Sequence, residues 1–162
     1  MSDSKTFDRF ENAEAAASAI TQLITQAGRD VAVHSRQLEP AIWEHPAVLE
    51  ALRTYLTDPG PRALRVQVDE PGILNARNPH FLALAQRLSS RVLIREPDPD
   101  HEQLDYETLV TDRDGLVKWD IGARVQGEFA FAAPAPARLT LLAFNRVWER
   151  ARTCAELRAL GI

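Results

Sequence analysis

The chain has one cysteine, Cys154, among its 162 residues, so no internal disulfide can form. It lacks an apolar run near the roughly 20 residues that a membrane-spanning helix needs, and residues 1–5 lack the basic-then-apolar pattern of a secretory signal. Charges of both signs are mixed and sum to −4, which argues against the broad basic surface that nucleic acid or anionic lipid favours. We therefore expect a cytoplasmic protein that binds neither membranes nor nucleic acid.

Several sequence signatures of catalysis are also missing. There is no glycine-rich phosphate loop, no pair of cysteines, and no Gly-x-Ser-x-Gly elbow that would make His34–Ser35 part of a serine hydrolase. The acidic loop around His101 does not have the spacing of a structural metal site. The sequence thus predicts no cofactor and no bound metal.

Hydrophobic periodicity predicts an α/β domain. Apolar residues recur at spacings of three and four after Asn12, which indicates an amphipathic helix that ends near Gly28. Further helices alternate with short apolar strands at residues 30–34, 63–68 and 91–95. Because a crossover helix returns the chain to the same end of a sheet, we expect these strands to be parallel.

The second half of the chain has a different pattern. Residues 104–111 and 116–120 flank the turn-rich segment 112–115, which predicts a β-hairpin, and a strand follows near residues 127–131. Pro134 and Pro136 then precede a last long helix. The predicted fold is a mixed, mostly parallel sheet flanked by helices, with a C-terminal β-hairpin and helix. We assign residues 1–12 to an N-terminal tail or arm and residues 13–162 to a single domain.

Three segments carry a resemblance to one half of a phospholipase D-like protein: residues 105–112, 115–117 and 144–149. Members of that superfamily have a His, a Lys two residues later and an Asp five residues after the Lys. Here the corresponding positions hold Asp105, Glu107 and Asp112. The chain also resembles a family of uncharacterised bacterial domains, some of which occur beside acetyltransferase domains.

The replaced motif residues imply that the chemistry of the family is lost. In the family, the His attacks phosphorus and the Lys holds the phosphoryl oxygens, whereas Asp105 and Glu107 place two negative charges about 7 Å apart that repel an anionic substrate. The simplest interpretation is that both are polar residues on a solvent-facing strand surface. Asp112 is interpreted as a turn residue that binds backbone amides.

A polar rim is a second candidate site. Ligands in parallel α/β folds tend to lie at the carboxyl ends of the strands, and these ends carry His34, Arg36, Asp69 and Arg95. Such a rim could bind a small anion or a carboxylate. Ordinary loop charges joined in salt bridges are the alternative interpretation.

The leading hypothesis is a pseudoenzyme, a non-catalytic phospholipase D-like domain that serves protein interaction or self-association. Its partner would be a second copy, since active family members pair two halves, or another protein, for which an acetyltransferase is one candidate. The alternative is a metal-dependent hydrolase or small-anion-binding domain that uses carboxylates around Asp105 and Glu107, with Asp69 as a further ligand. The sequence does not decide whether the chain is an enzyme. It does argue against the phosphoryl transfer of the family, because Asp105 and Glu107 replace the His and the Lys.

Overall fold

A computed structural model describes residues 7–102, 104–122 and 124–162. Part of the predicted N-terminal tail, residues 1–6, lies outside the described residues. The helices are α1 (Ala13–Gln26), α2 (Pro40–Trp43), α3 (Pro46–Thr57), α4 (Leu74–Arg77), α5 (Pro79–Arg87), α6 (Pro134–Trp148) and α7 (Ala155–Arg158). The strands are β1 (Asp8–Phe10), β2 (Asp30–Ser35), β3 (Ala63–Val68), β4 (Val92–Glu96), β5 (Tyr106–Thr111), β6 (Leu116–Asp120), β7 (Gly127–Ala130) and β8 (Arg152–Thr153).

The strands form one sheet in the order β1-β7-β6-β5-β2-β3-β4-β8. The α/β class, the flanking helices and the hairpin β5–β6 are as predicted. The prediction of a mostly parallel sheet is wrong, because five of the seven pairings among the described strands are antiparallel. Only β2–β3 and β3–β4 are parallel.

Connection length explains this difference. The links from β2 to β3 and from β3 to β4 contain α3 and α5, which return the chain to the same end of the sheet. In contrast, β5, β6 and β7 follow one another through short turns, so each reverses direction. The strand β5 then pairs with β2, antiparallel to it. The crossover argument therefore holds for β2–β4 alone.

The sheet separates two apolar layers. Alternate residues of β2 point to opposite faces: Val31 and Val33 belong to the larger cluster with residues of α1, α3 and α5, whereas Ala32 belongs to a smaller cluster under α6. Helix α1 contributes residues to the larger cluster. Asn12 caps this helix by accepting a hydrogen bond from the N–H of Ala15 at 2.8 Å. No helix among the described residues is long and apolar enough to cross a bilayer.

The N-terminal arm closes one edge of the sheet. Within it, β1 pairs with β7, and the buried ring of Phe10 packs edge-on against Trp119 with ring centres 6.0 Å apart. This approach requires a glycine at position 127. A Cβ there would overlap the carbonyl oxygen of Lys118 and lie 3.0 Å from the Phe10 ring.

Replacing Gly127 with alanine should therefore destabilise the fold. Since the clash involves backbone, the neighbours cannot yield cheaply, and we expect Gly127→Ala to lower the free energy of unfolding by about 1–3 kcal/mol in a urea titration. Gly60→Ala is the matched control, because a Cβ there would meet only Asp58 Oδ1, at 3.4 Å. Its effect should stay within about 0.5 kcal/mol. Equal unfolding midpoints for the two variants would contradict this account of the β1–β7 edge.

Candidate functional site

His34 lies near the carboxyl end of β2 and is only 1% exposed. Its Nδ1 is 2.9 Å from the carbonyl oxygen of Tyr106, and its Nε2 is 3.2 Å from Oδ1 of Asp69. Both partners are hydrogen-bond acceptors, an arrangement that favours the protonated ring, in which both nitrogens donate. Two of the predicted rim residues, His34 and Asp69, are thus in direct contact.

The pKa of His34 is raised above its ordinary value of 6.5. Burial has the largest single influence and lowers this pKa. The hydrogen bond and negative charge of Asp69, the Tyr106 carbonyl and the charge of Glu107 act in the opposite direction and together outweigh it. These surroundings therefore favour the protonated form of His34, with Asp69 as its carboxylate partner.

Glu107 is not on a solvent-facing surface, as the simplest sequence interpretation expected, but is buried at 8% exposure. Its Oε2 accepts a hydrogen bond from the backbone N–H of Arg36 at 2.9 Å, and its Oε1 has no hydrogen-bond partner. Burial raises the pKa of this carboxyl above 4.5, against the opposing effects of the Ser35 hydroxyl, the Arg36 N–H and the His34 charge. Glu107 is thus a partly desolvated acid.

Asp105 lies just before β5 and is exposed. It lines a cavity of about 240 Å³ on the α6 side of the sheet, together with His34, Tyr106, Lys118, Leu139 and Phe144. Glu107 lines a different cavity of about 190 Å³. The two carboxylates that the sequence places two residues apart therefore do not share a cavity.

Asp112 holds two chain segments together. Its Oδ1 accepts from the N–H of Gly28 and its Oδ2 from the N–H of Arg29, both at 2.8 Å. These amides belong to the link between α1 and β2, which is far away in sequence. The turn after β5 is instead closed by Thr111, whose hydroxyl accepts from the N–H of Gly115 at 3.0 Å.

The two rim arginines do not meet His34. The side chain of Arg36 extends toward Glu70, with Nε and Oε2 3.8 Å apart. Arg95 is held at the end of α6: its Nη1 donates to the carbonyl oxygen of Trp148 at 3.2 Å, and its guanidinium lies 4.3 Å from the centre of that indole ring. The predicted four-residue rim is therefore only partly assembled, around His34 and Asp69.

Sequence reasoning missed Arg77 and Lys118 as neighbours of these cavities. Arg77 lies on the four-residue helix α4, which is too short to show a periodic pattern. Lys118 could have been found, because it lies opposite Thr108 in the predicted hairpin. In the described parts of the chain, no three His, Cys, Asp or Glu side chains come close enough to hold a metal ion, so the metal-dependent alternative has no cluster there to support it.

The sequence of the chain matches the model of a protein family described as "Domain of unknown function (DUF7931)" over residues 12–160. No curated protein matches the chain. Solved structures do resemble it. Nuc from Salmonella typhimurium, a phospholipase D family member, has a TM-score of 0.62 at 12% identity, over 91% of this chain and 97% of that one. NucT from Helicobacter pylori has a TM-score of 0.59 at 8% identity, over 91% and 98%.

TrmBL2, an archaeal chromatin protein that shows a novel mode of DNA binding, has a TM-score of 0.66 at 11% identity. The match covers 94% of this chain but spans only 55% of TrmBL2. At such identities, the likenesses show the fold alone. The chain has a phospholipase D-like fold.

We expect Asp112 to contribute to stability. Asp112→Ala removes both acceptors from the Gly28 and Arg29 amides and should lower the free energy of unfolding by about 1–2 kcal/mol, as the loss of a capping carboxylate does. The exposed Asp120, at the end of β6, is the control, and Asp120→Ala should change it by less than about 0.5 kcal/mol. Equal losses in urea titrations of the two variants would show that the Asp112 contacts contribute nothing.

Stability should also depend on pH. Because the native pKa of His34 is raised, its stabilising effect is complete below about pH 6.5 and is lost as the pH rises through the native pKa. The raised pKa of Glu107 acts in the same direction from about pH 4.5 upward. The free energy of unfolding should therefore fall with rising pH above 6.5.

Urea titrations across the pH range measure this slope. His34→Gln should flatten the profile above pH 6.5, whereas His80→Gln, which changes a histidine on the exposed start of α5, should keep it. A wild-type profile that is level or rises above pH 6.5 would be incompatible with a buried imidazolium.

Proposed function

This chain belongs to the family described as a domain of unknown function (DUF7931), and we propose that it is a non-catalytic phospholipase D-like domain that associates with a second copy of itself. The observation that carries the proposal is the state of the motif strand. Its first carboxylate, Asp105, is exposed, and its second, Glu107, is buried against the Arg36 amide. A cytoplasmic location is part of the proposal, because the single thiol, Cys154, is buried and forms no disulfide.

The charges around the motif strand support the loss of phosphoryl-transfer chemistry. A phosphodiester needs a nucleophile and cations to offset its charge in the transition state. The imidazole of His34 has both nitrogens committed to hydrogen bonds and a raised pKa, so it is a poor nucleophile. The carboxyl of Glu107 occupies the position at which a cation would be needed.

An apolar surface supports association. Among the described residues, the large apolar side chains classed as exposed are Leu93, Tyr106, Leu139 and Leu142. Tyr106 and Leu139 line the same cavity, and Leu142 lies one turn further along α6. These three, the α6 patch, are 41%, 68% and 50% exposed. Apolar side chains grouped in this way typically mark an interaction surface.

A second copy is the occupant that best fits the α6 patch. The match between this chain and Nuc or NucT spans nearly the full length of either of those proteins. The resemblance implies that active members pair two halves, and a two-fold dimer would bring two α6 patches together in a self-complementary interface. We infer that the pairing of halves is kept although the chemistry is lost.

Light scattering tests this proposal. We expect a mass of twice the 18.1 kDa chain mass, unchanged by millimolar Mg²⁺ or by a chelator. The double variant Leu139→Glu/Leu142→Glu places two charges in the α6 patch and should be monomeric. Leu93→Glu, a control on β4 outside the patch, should remain dimeric. A monomeric wild type at high micromolar concentration, or a dimeric double variant, would refute this mode of association.

Two further assays test the other parts of the proposal. We expect no cleavage of a bis-phosphodiester, and cleavage that Asp105→Ala abolishes would show that the domain is catalytic. We also expect no binding to single- or double-stranded DNA at low salt. Salt-sensitive DNA binding would assign this chain a role closer to the one described for TrmBL2.

A further inference from the structure

A small polar cavity lies on the side of the sheet opposite α6. It has a volume of about 190 Å³ and lies where the loop after β2, helix α4 and the link between β6 and β7 meet. Side chains of both charges line it, beside an indole. We call it the Glu107 pocket and define it by Arg36, Gln37, Glu39, Arg77, Glu107 and Trp119.

Glu107 gives this pocket a buried carboxyl group. The side chain is more than nine-tenths buried, and the backbone N–H of Arg36 fixes one carboxyl oxygen. The other oxygen, Oε1, is buried without a hydrogen-bond partner. Such a group is unfavourable in a folded protein. Oε1 is shielded from solvent, so a ligand N–H reaches it only after the carboxyl group turns toward the pocket, and the hydrogen bond then formed satisfies this acceptor.

Two guanidinium groups supply the opposite charge. Arg77 donates one hydrogen bond to Oε1 of Gln37 at 3.0 Å. Arg36 forms an ion pair with Glu70, with Nε and Oε2 3.8 Å apart and no hydrogen bond between them. Its Nη1 also lies near the β6–β7 link, because a Cβ placed on Gly122, which has a φ of 80°, would be 3.6 Å from it. Arginine forks of this kind bind carboxylates in pairs of hydrogen bonds.

The balance of charge decides which ligand fits. A simple anion would be attracted by Arg36 and Arg77, but the two glutamates, Glu39 and Glu107, would repel it. A simple cation would be attracted by the glutamates and repelled by the arginines. A molecule with a positive and a negative end satisfies both. Drug-sized sites occupy about 300–1,000 Å³, so the smaller Glu107 pocket suits a metabolite the size of an amino acid.

We propose that the Glu107 pocket binds a free α-amino acid, whose ammonium group donates to Glu107 and whose carboxylate is held by Arg36 and Arg77. Trp119 forms an apolar wall beside the ligand. The site does not depend on self-association, because the described residues that form it belong to one chain and lie away from the α6 patch.

Calorimetric titration with each of the twenty L-amino acids at millimolar concentration tests this proposal. We expect at least one to bind with a one-to-one ratio and to change the tryptophan fluorescence of the protein, since Trp119 lines the pocket. Its N-acetyl derivative, which lacks the ammonium group, and its amide, which lacks the carboxylate, should each bind roughly tenfold more weakly or worse.

Variants then locate the site. Glu107→Gln keeps the shape of the side chain but removes its charge, and Arg77→Gln removes one guanidinium from the exposed surface with little risk to folding. Each should weaken binding of the best amino acid roughly tenfold or more. Arg53→Gln, on the exposed face of α3, is the control and should bind as the wild type does.

Several results would overturn the proposal. These are no binding by any of the twenty amino acids, equal binding of the N-acetyl derivative, or unchanged binding by folded Arg77→Gln. Inorganic phosphate that binds as tightly as the best amino acid would identify a general anion site instead. None of these results bears on the mass in solution, so the site and the proposed dimer succeed or fail separately.

Discussion

The antiparallel pairing of β5 with β2 holds the two parts of this domain together. On one side of it lie the parallel strands β2–β4, and on the other lie β5–β7, which follow one another through turns. Both ends of this pairing are secured by side chains. Asp112 binds the Gly28 and Arg29 amides at one end, and the His34 ring binds the Tyr106 carbonyl at the other. Without these contacts, only the backbone hydrogen bonds between β2 and β5 and the packing of their side chains would join the two groups of strands.

We propose that the positions that present reactive groups in a phospholipase D-like enzyme serve the fold in this chain. Asp112 joins the end of β5 to the link between α1 and β2. Glu107 accepts a hydrogen bond from the loop after β2. Strand β5 also divides the polar groups of the domain between two faces. His34 lines the cavity beside α6, whereas Glu107 lines the opposite cavity together with Arg36 and Arg77. The two proposed interactions, with a second copy and with an amino acid, therefore use opposite faces.

Local patterns predicted much of this fold, whereas features set by distant contacts escaped them. Strands β2, β3 and β4 follow from short apolar segments between amphipathic helices, and the His34–Asp69 contact follows from the rule that strand ends meet at one edge. The direction of most strand pairings did not follow, because the sequence does not show that β5 inserts beside β2. Arg95 was assigned to the rim, but the indole of Trp148, more than fifty residues later, holds it elsewhere. The burial of Glu107 was also hidden, since its partner is a backbone amide that no sequence pattern reveals.

The outermost strands are the shortest ones. Strand β1 has three residues and β8 has two, and both carry arginine side chains. A sheet edge with so few free amide and carbonyl groups offers little template for another chain to add a strand, and charged edge residues discourage it further. Growth of stacked sheets into fibrils is therefore disfavoured in the native state. A domain with this sheet can present an apolar face to a neighbour while its edges resist polymerisation.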